Sequence, residues 1–424
     1  MTTLIKNGNV FFRNKFEETD IFIGNDKKLV IASNIDVDAD EVIDATGLHI
    51  MPGLIDVHTH LREPGFEYKE TIKSGTDAAI KGGYTTIFCM PNLNPVTDNV
   101  EKYQKLEEII KRDSQINVIP YVSITKDQLG KDIVDVEALA EHTLFFSDDG
   151  KGVQSDDIMK QAMTKVAKVN GMIVAHCEDE SLLSKGGSVH DGILVNKFNQ
   201  VGISSASESK QVERDIQLAE ETKVQYHVCH VSTIESIQAI KQGKLKGVNV
   251  SGEVTPHHLI LNENDVISDD GNFKMNPPLR TKEDQQALIN ALKDQTIEII
   301  ATDHAPHSIE EKSRGLKDSP MGIIGLEFAF SLLYTKLVKT NIISLELLVK
   351  TMSYNPANIF GIEGGYIDQG EIANLCIYNL KDNEKITLEN IVSKSKNTPF
   401  LNQYVSAVNY MTIMNGKIIY RKGL

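Results

Sequence analysis

From Leu54 to His304 the chain alternates between two patterns of apolar and polar residues. One is a short, nearly continuous apolar run, the mark of a strand buried on both faces. The other is a longer stretch whose apolar positions recur every three or four residues, the mark of a helix with one buried face. The first pattern predicts strands at Leu54–Arg62, Thr85–Asn92, Asn117–Ile124, Thr143–Asp149, Met172–Glu178, Val224–Val231, Val248–Thr255 and Glu298–His304. The second predicts helices at Tyr68–Lys81, Val100–Arg112, Ser155–Val169, Glu208–Glu221, Thr233–Gln242 and Glu283–Leu292. Eight such units in series predict an α/β fold, a closed TIM-like (β/α)8 barrel, whose usual size is about 250 residues before insertions. An open doubly wound sheet would need a Gly-rich phosphate turn after its first strand. That position here reads His58-Thr59-His60-Leu61-Arg62-Glu63-Pro64-Gly65.

The ends of the chain are patterned differently. Leu4–Phe12, Thr19–Ile23, Leu29–Ala32 and Glu41–Asp44 are short strand-like runs punctuated by Gly8, Gly24, Asn25 and Asp26. Ala373–Tyr378 and Asn409–Tyr420 match them, the second broken by the hairpin signal Asn415-Gly416. The expectation is one small β-sandwich domain built from residues 1–51 and 366–424, flanking a barrel over residues 52–365.

Bulk composition narrows the setting. The 424 residues are 41% hydrophobic and 24% charged, with 44 basic and 59 acidic side chains and a net charge of −15. That charge argues against a nucleic-acid or membrane-surface partner, and an anionic substrate would need a locally positive site. No apolar run reaches a membrane-spanning length, and Met-Thr-Thr-Leu-Ile-Lys-Asn-Gly has no signal-peptide pattern. Four cysteines without a CxxC pair suit reduced thiols in a cytoplasmic protein.

In barrels of this kind the chemistry lies at the C-terminal strand ends. In a strand, His58, His60 and Arg62 share one face. The second predicted strand ends in Asn92, the fourth in Asp148-Asp149, the fifth in His176, the sixth in His230 and the eighth in Asp303. Four histidines and two carboxylates at equivalent ends supply ligands for two divalent metals, imidazole and carboxylate being suited to zinc. Alternation turns Cys177, His227 and Cys229 away from that face. His257 and His258 read as structural.

These residues resemble the amidohydrolase superfamily of metal-dependent hydrolases, its cyclic-amidohydrolase group, and within that the bacterial class I dihydroorotases. The resemblance is carried by residues 52–65 and by Met90-Pro91-Asn92, Ser147-Asp148-Asp149-Gly150 and Ala175-His176-Cys177-Glu178-Asp179. It continues through residues 227–232, residues 253–258, Met275-Asn276-Pro277-Pro278-Leu279-Arg280 and residues 301–307. It implies two zinc ions, one on His58, His60 and Asp303, the other on His176 and His230, bridged by Asp149 and a hydroxide. Related enzymes bridge with a carboxylated lysine, but no lysine lies between Glu141 and Asp149, and only Lys151 is near. The choice of Asp149 over Asp148 comes from the resemblance alone.

The resemblance also implies reversible ring opening of L-dihydroorotate to N-carbamoyl-L-aspartate, a step of pyrimidine synthesis. Asp303 would be general base and then acid. Arg62, Asn92 and His307 would grip the substrate carboxylate, and Asn276 the ring amide. A homodimer is implied, and some relatives act with aspartate carbamoyltransferase. The polar stretch Ser308–Ser319 is either a lid or a solvated loop. The rivals are a hydantoinase, dihydropyrimidinase or allantoinase, and a non-catalytic scaffold of the same fold, which would have lost metal ligands.

Overall fold

The computed structural model describes residues 2–423. Eight strands form the barrel: β1 (Leu54–Thr59), β2 (Tyr84–Cys89), β3 (Asn117–Pro120), β4 (Phe145–Phe146), β5 (Met172–Ala175), β6 (Gln225–Val228), β7 (Val250–Val254) and β8 (Ile299–Ile300). Neighbours pair in parallel from β1 to β3 and from β4 to β8. Two isolated parallel bridges join the arcs, Val122 to Phe146 and Thr59 to His304, so the ring closes.

All eight predicted barrel strands are present, each shorter at its C-terminal end. The residues that follow each strand have left the ladder. Arg62 (φ 63°), His230 (φ 31°) and Asp303 (φ 49°) stand in the left-handed region, which costs a non-glycine residue energy and is met where function demands it. Arg62 therefore reaches the cleft by a turn of the chain, not by sharing a strand face with His58.

The helices outside the strands start where polar residues can cap them. Thr71, Asn99, Ser155, Ser204, Thr233 and Thr281 each accept a hydrogen bond from a first-turn backbone N–H. Inside the barrel, Ile55, Val57, Phe88, Tyr121, Val174 and Phe360 are buried together and plug the floor beneath the strand ends. Asp56 ties first strand to last, accepting from His58 N at 3.0 Å and from Thr302 N at 3.2 Å. This places His58 and Asp303 side by side.

The two chain ends share one eight-stranded sheet. His49–Pro52 pairs in parallel with Thr3–Phe12 on one side and antiparallel with Leu375–Lys385 on the other. Lys417–Arg421 lies at one end of the strand order, yet Arg421 is ion-paired with Glu41 of the strand Glu41–Asp44, which pairs with Thr3–Phe12. The sheet thus curls over a core of Ile5, Ile21, Ile23, Ile50, Leu375 and Ile413. Asn415 (φ 50°) and Gly416 (φ 72°) both take the left-handed turn conformation that Asn-Gly favours between two strands. The terminal sheet also packs onto the barrel, with Tyr378 Oη donating to Gly82 O at 2.7 Å.

Candidate metal centre

Six side chains meet at the open end of the barrel. His58 and His60 flank the end of β1, Asp149 follows β4, His176 follows β5, His230 follows β6 and Asp303 follows β8. All six are buried. Asp149 Oδ1 is 3.4 Å from His58 Nε2, 3.8 Å from His176 Nδ1 and 3.7 Å from His230 Nε2, and Asp149 Oδ2 is 3.5 Å from His60 Nε2. Asp303 Oδ1 lies 3.0 Å from His60 Nε2 and 3.5 Å from His58 Nε2.

Three groups among the described residues have ligand atoms close enough for a metal ion: His58, His60 and Asp149; Asp149, His176 and His230; and His58, Cys229 and Glu253. The first two share Asp149; the third sets Cys229, expected to face away, near His58, and its Glu253 Oε1 is already taken by His58 Nδ1. His58 Nε2 and Asp149 Oδ1 are buried and have no hydrogen-bond partner, although buried polar atoms are almost always satisfied. Nitrogen and oxygen donors converging on such atoms suit a divalent ion of the zinc type.

Charge within the cluster is balanced locally. Burial opposes ionisation of Asp149, but His58, His230 and His60 outweigh it and hold the carboxyl well below the usual range. Burial likewise opposes ionisation of Asp303, and His58, then His60, still bring it to about 2. Both carboxylates are thus anions at working pH, ready as ligands or as a base.

Asp148 points elsewhere. Its carboxylate accepts from Ile124 N at 2.8 Å, from Thr125 N at 3.1 Å and from Thr125 Oγ1. Lys151 is exposed to solvent. Of the aspartate pair, only Asp149 is among the histidines.

A cleft of about 230 Å3 opens above the cluster, lined by Arg62, Asn92, Asn276, Asp303, His307 and Gly322 among others. Arg62 Nε donates to Pro306 O at 3.2 Å, and one terminal nitrogen lies 3.4 Å from His307 Nε2. Asn92 Oδ1 lies 2.9 Å from His60 Nδ1, so Asn92 also braces His60. Asn276 Nδ2 donates to Glu178 Oε1 at 3.1 Å, which leaves its carbonyl oxygen free of that contact. Gly322 (φ 121°) admits no side chain, since a Cβ would meet that of Ala305 at 2.5 Å.

The sequence reading assigned no role to three groups here. Glu253 on β7 is fully buried; it takes His58 Nδ1–H at 2.5 Å, His230 N–H at 3.2 Å and His227 Nε2–H at 3.2 Å. His227 does point away from the cleft, and it holds Glu253 from below. Glu178 fixes Asn276, and Lys69 sits behind His307 at 3.2 Å from Nδ1. Only Glu253 had a signal, an acidic residue facing inward from an apolar strand. His258 supports the loop carrying Asn276, through Nε2 at 3.0 Å from Pro277 O.

The comparisons with known proteins fit this geometry. Residues 47–236 match the family model described as dihydro-orotase-like. A dihydroorotase of Fusobacterium nucleatum is 48% identical over 417 residues, covering 98% of both chains. One of Bacillus cytotoxicus is 48% identical over 424 residues, covering 100% of this chain and 99% of the relative. The chain belongs to the dihydroorotase family. Solved structures add the fold. An L-hydantoinase (dihydropyrimidinase) from Arthrobacter aurescens superposes with a TM-score of 0.90 at 24% identity, covering 100% of this chain and 96% of that one. A dihydropyrimidinase from Brevibacillus agri gives 0.88 at 24% identity, over 99% and 95%.

Proposed function

We propose that this protein is a dihydroorotase that hydrolyses the cyclic amide of L-dihydroorotate to N-carbamoyl-L-aspartate and runs the reverse closure. The observation that carries the reading is Arg62, a guanidinium lining the same small cleft as the ligand cluster. The cleft is smaller than the roughly 300 Å3 and upward of sites for drug-sized ligands, and suits a single ring bearing a carboxylate.

In this reading His58, His60, Asp149, His176, His230 and Asp303 hold two zinc ions, with Asp149 common to both. Metal bound there supplies an activated water and polarises the scissile carbonyl at neutral pH. The chain's own residues do the rest. Arg62 donates to the substrate carboxylate, with His307 and Asn92 beside it. Asn276 accepts a ring N–H through its free oxygen. Asp303, ionised and 3.0 Å from His60, takes the proton from the attacking water and gives it to the ring nitrogen as the C–N bond breaks. Water's oxygen ends on the carbonyl carbon and both of its protons are accounted for, one on the nitrogen of the new ureido group and one shed by the new carboxyl group.

The barrel, residues 52–365, is the chemical unit in this reading, and residues 1–51 with 366–424 form the supporting β domain. Among the described residues no helix is long and apolar enough to cross a membrane, and we place the enzyme in the cytoplasm, in pyrimidine synthesis. By resemblance it works as a homodimer, with aspartate carbamoyltransferase as a partner to test by sedimentation.

The test is ring opening by the purified protein with zinc, on L-dihydroorotate, hydantoin and dihydrouracil. Turnover of dihydroorotate alone is expected. Preference for hydantoin or dihydrouracil would overturn the reading of Arg62, and absence of bound metal after loading would overturn that of the cluster.

A further inference from the structure

The loop after β1 brings Lys69 to the back of His307. Lys69 Nζ lies 3.2 Å from His307 Nδ1 and 3.1 Å from Glu311 Oε1. An ammonium can only donate, so His307 Nδ1 must accept, and the one proton of a neutral ring then sits on Nε2. That nitrogen then donates to Met321 O at 2.8 Å, which outweighs the longer 3.4 Å contact to an Arg62 terminal nitrogen, itself only a donor. The opposite tautomer would aim an N–H at the ammonium and set a bare lone pair against the Met321 carbonyl. Glu311 Oε2, the other group near Nδ1, is 3.6 Å away and accepts Ser308 N at 3.0 Å instead. Burial, then Arg62, Lys69 and Lys312, keep the imidazole neutral, with its pKa pushed down to about 2.

We propose that Lys69 is a positioning residue for the substrate: it locks His307 in the Nε2–H tautomer, so that no bare imidazole lone pair competes for Arg62 or faces a bound carboxylate. The inference rests on the reading that a substrate carboxylate binds there. A bare Nε2 lone pair would repel a bound carboxylate and draw an Arg62 N–H onto itself, whereas an Nε2–H held by the Met321 carbonyl does neither. Lys69 is itself held from the segment after β8. Its partner Glu311 lies in the helix Ile309–Lys312 and also accepts from Tyr68 Oη at 3.0 Å. Within the stretch Ser308–Ser319, Lys312, Leu316 and Ser319 are buried, while Ile309 is exposed.

The experiment is ring-nitrogen NMR of the zinc-loaded enzyme labelled with 15N-histidine, with the His307 signals identified by their loss in His307→Asn. Wild type is expected to show Nε2–H. Lys69→Met is expected to lose that preference and to raise KM for dihydroorotate about 10- to 100-fold, the range for a lost hydrogen bond to a charged group, with kcat within about three-fold. Lys69→Arg, still a donor, is expected to restore both. Nδ1–H in the wild type would overturn the proposal without any variant, and so would an unchanged tautomer or KM in Lys69→Met. Failure of the wild type to turn over dihydroorotate would instead overturn the substrate reading, since the tautomer is read without turnover.

Discussion

Replacing Glu253 with glutamine isolates the charge behind the ligand His58. In the wild type Oε1 accepts both His58 Nδ1–H and His230 N–H, and Oε2 accepts His227 Nε2–H. In Glu253→Gln the amide oxygen can stay at the first position and keep two donors. The new NH2 then faces His227, which can exchange tautomers because its Nδ1 partner at 2.7 Å is the Ser251 hydroxyl, able to donate or accept. Shape and bond count survive, and the negative charge is lost.

The His58 bond then changes from charge-assisted to neutral, which roughly halves it. Charged hydrogen bonds contribute about 1.5–3 kcal/mol and neutral ones about 1, so the expected loss is about 1–2 kcal/mol. Outer-shell changes at metal sites cost about 10- to 100-fold in affinity, or roughly 1.4–2.7 kcal/mol, so the two routes agree. The assay is zinc affinity of the metal-stripped protein by competition with a chromogenic chelator, with thermal melting to show that the fold persists. A folded variant whose zinc affinity lies within about three-fold of wild type would show that the charge on Glu253 does not support His58.

Arg62→Met removes the charged donor and is expected to raise KM for dihydroorotate about 10- to 150-fold while bound zinc, measured by mass spectrometry, stays at the wild-type level; loss of metal instead would show that Arg62 serves the cluster. His307 stays neutral throughout the working range because its pKa is pushed from 6.5 to about 2, so KM should have no inflection near pH 6.5, and one that vanished in His307→Asn would count against it. The same shift means that the unfolded chain binds the extra proton between those values, so this group's contribution to stability falls as pH drops from about 6.5. All four cysteines are buried and burial raises each thiol pKa, Cys89 to about 12, so an aromatic disulfide reagent should find no fast-reacting thiol in the native protein and four after denaturation.

The barrel was legible because apolar runs and helical periodicity record burial directly, and both survive in single sequences. Strand ends were not, because each strand stops where polar contacts from another element capture the chain. Asp148 shows why: its partners, Ile124 and Thr125, belong to the preceding unit, and no local spacing distinguishes it from Asp149. The clustered histidines and carboxylates were legible as types at equivalent strand ends. Their supports were not, since Lys69 and Glu311 lie in polar stretches far apart in sequence, where charge normally means solvent. Ser308–Ser319 reads as polar along the chain, yet Lys312 Nζ reaches three carbonyls, of Lys274, Pro320 and Gly322, at 2.9–3.0 Å.

The acidic surface and the donor-lined cleft are compatible because they act over different distances. At physiological ionic strength charges are screened beyond about 8 Å, so most of the excess carboxylates, spread over exposed helices and loops, act only weakly on a group in the cleft. Arg62 is close to the ligand carboxylates Asp149 and Asp303, and those are the charges that bear on it most. Divalent ions on those carboxylates would cancel them and leave the guanidinium free to hold an anion. Metal loading and carboxylate binding are then coupled through charge as well as through chemistry: a site without metal keeps its negative charges, and Arg62 is partly spent on them.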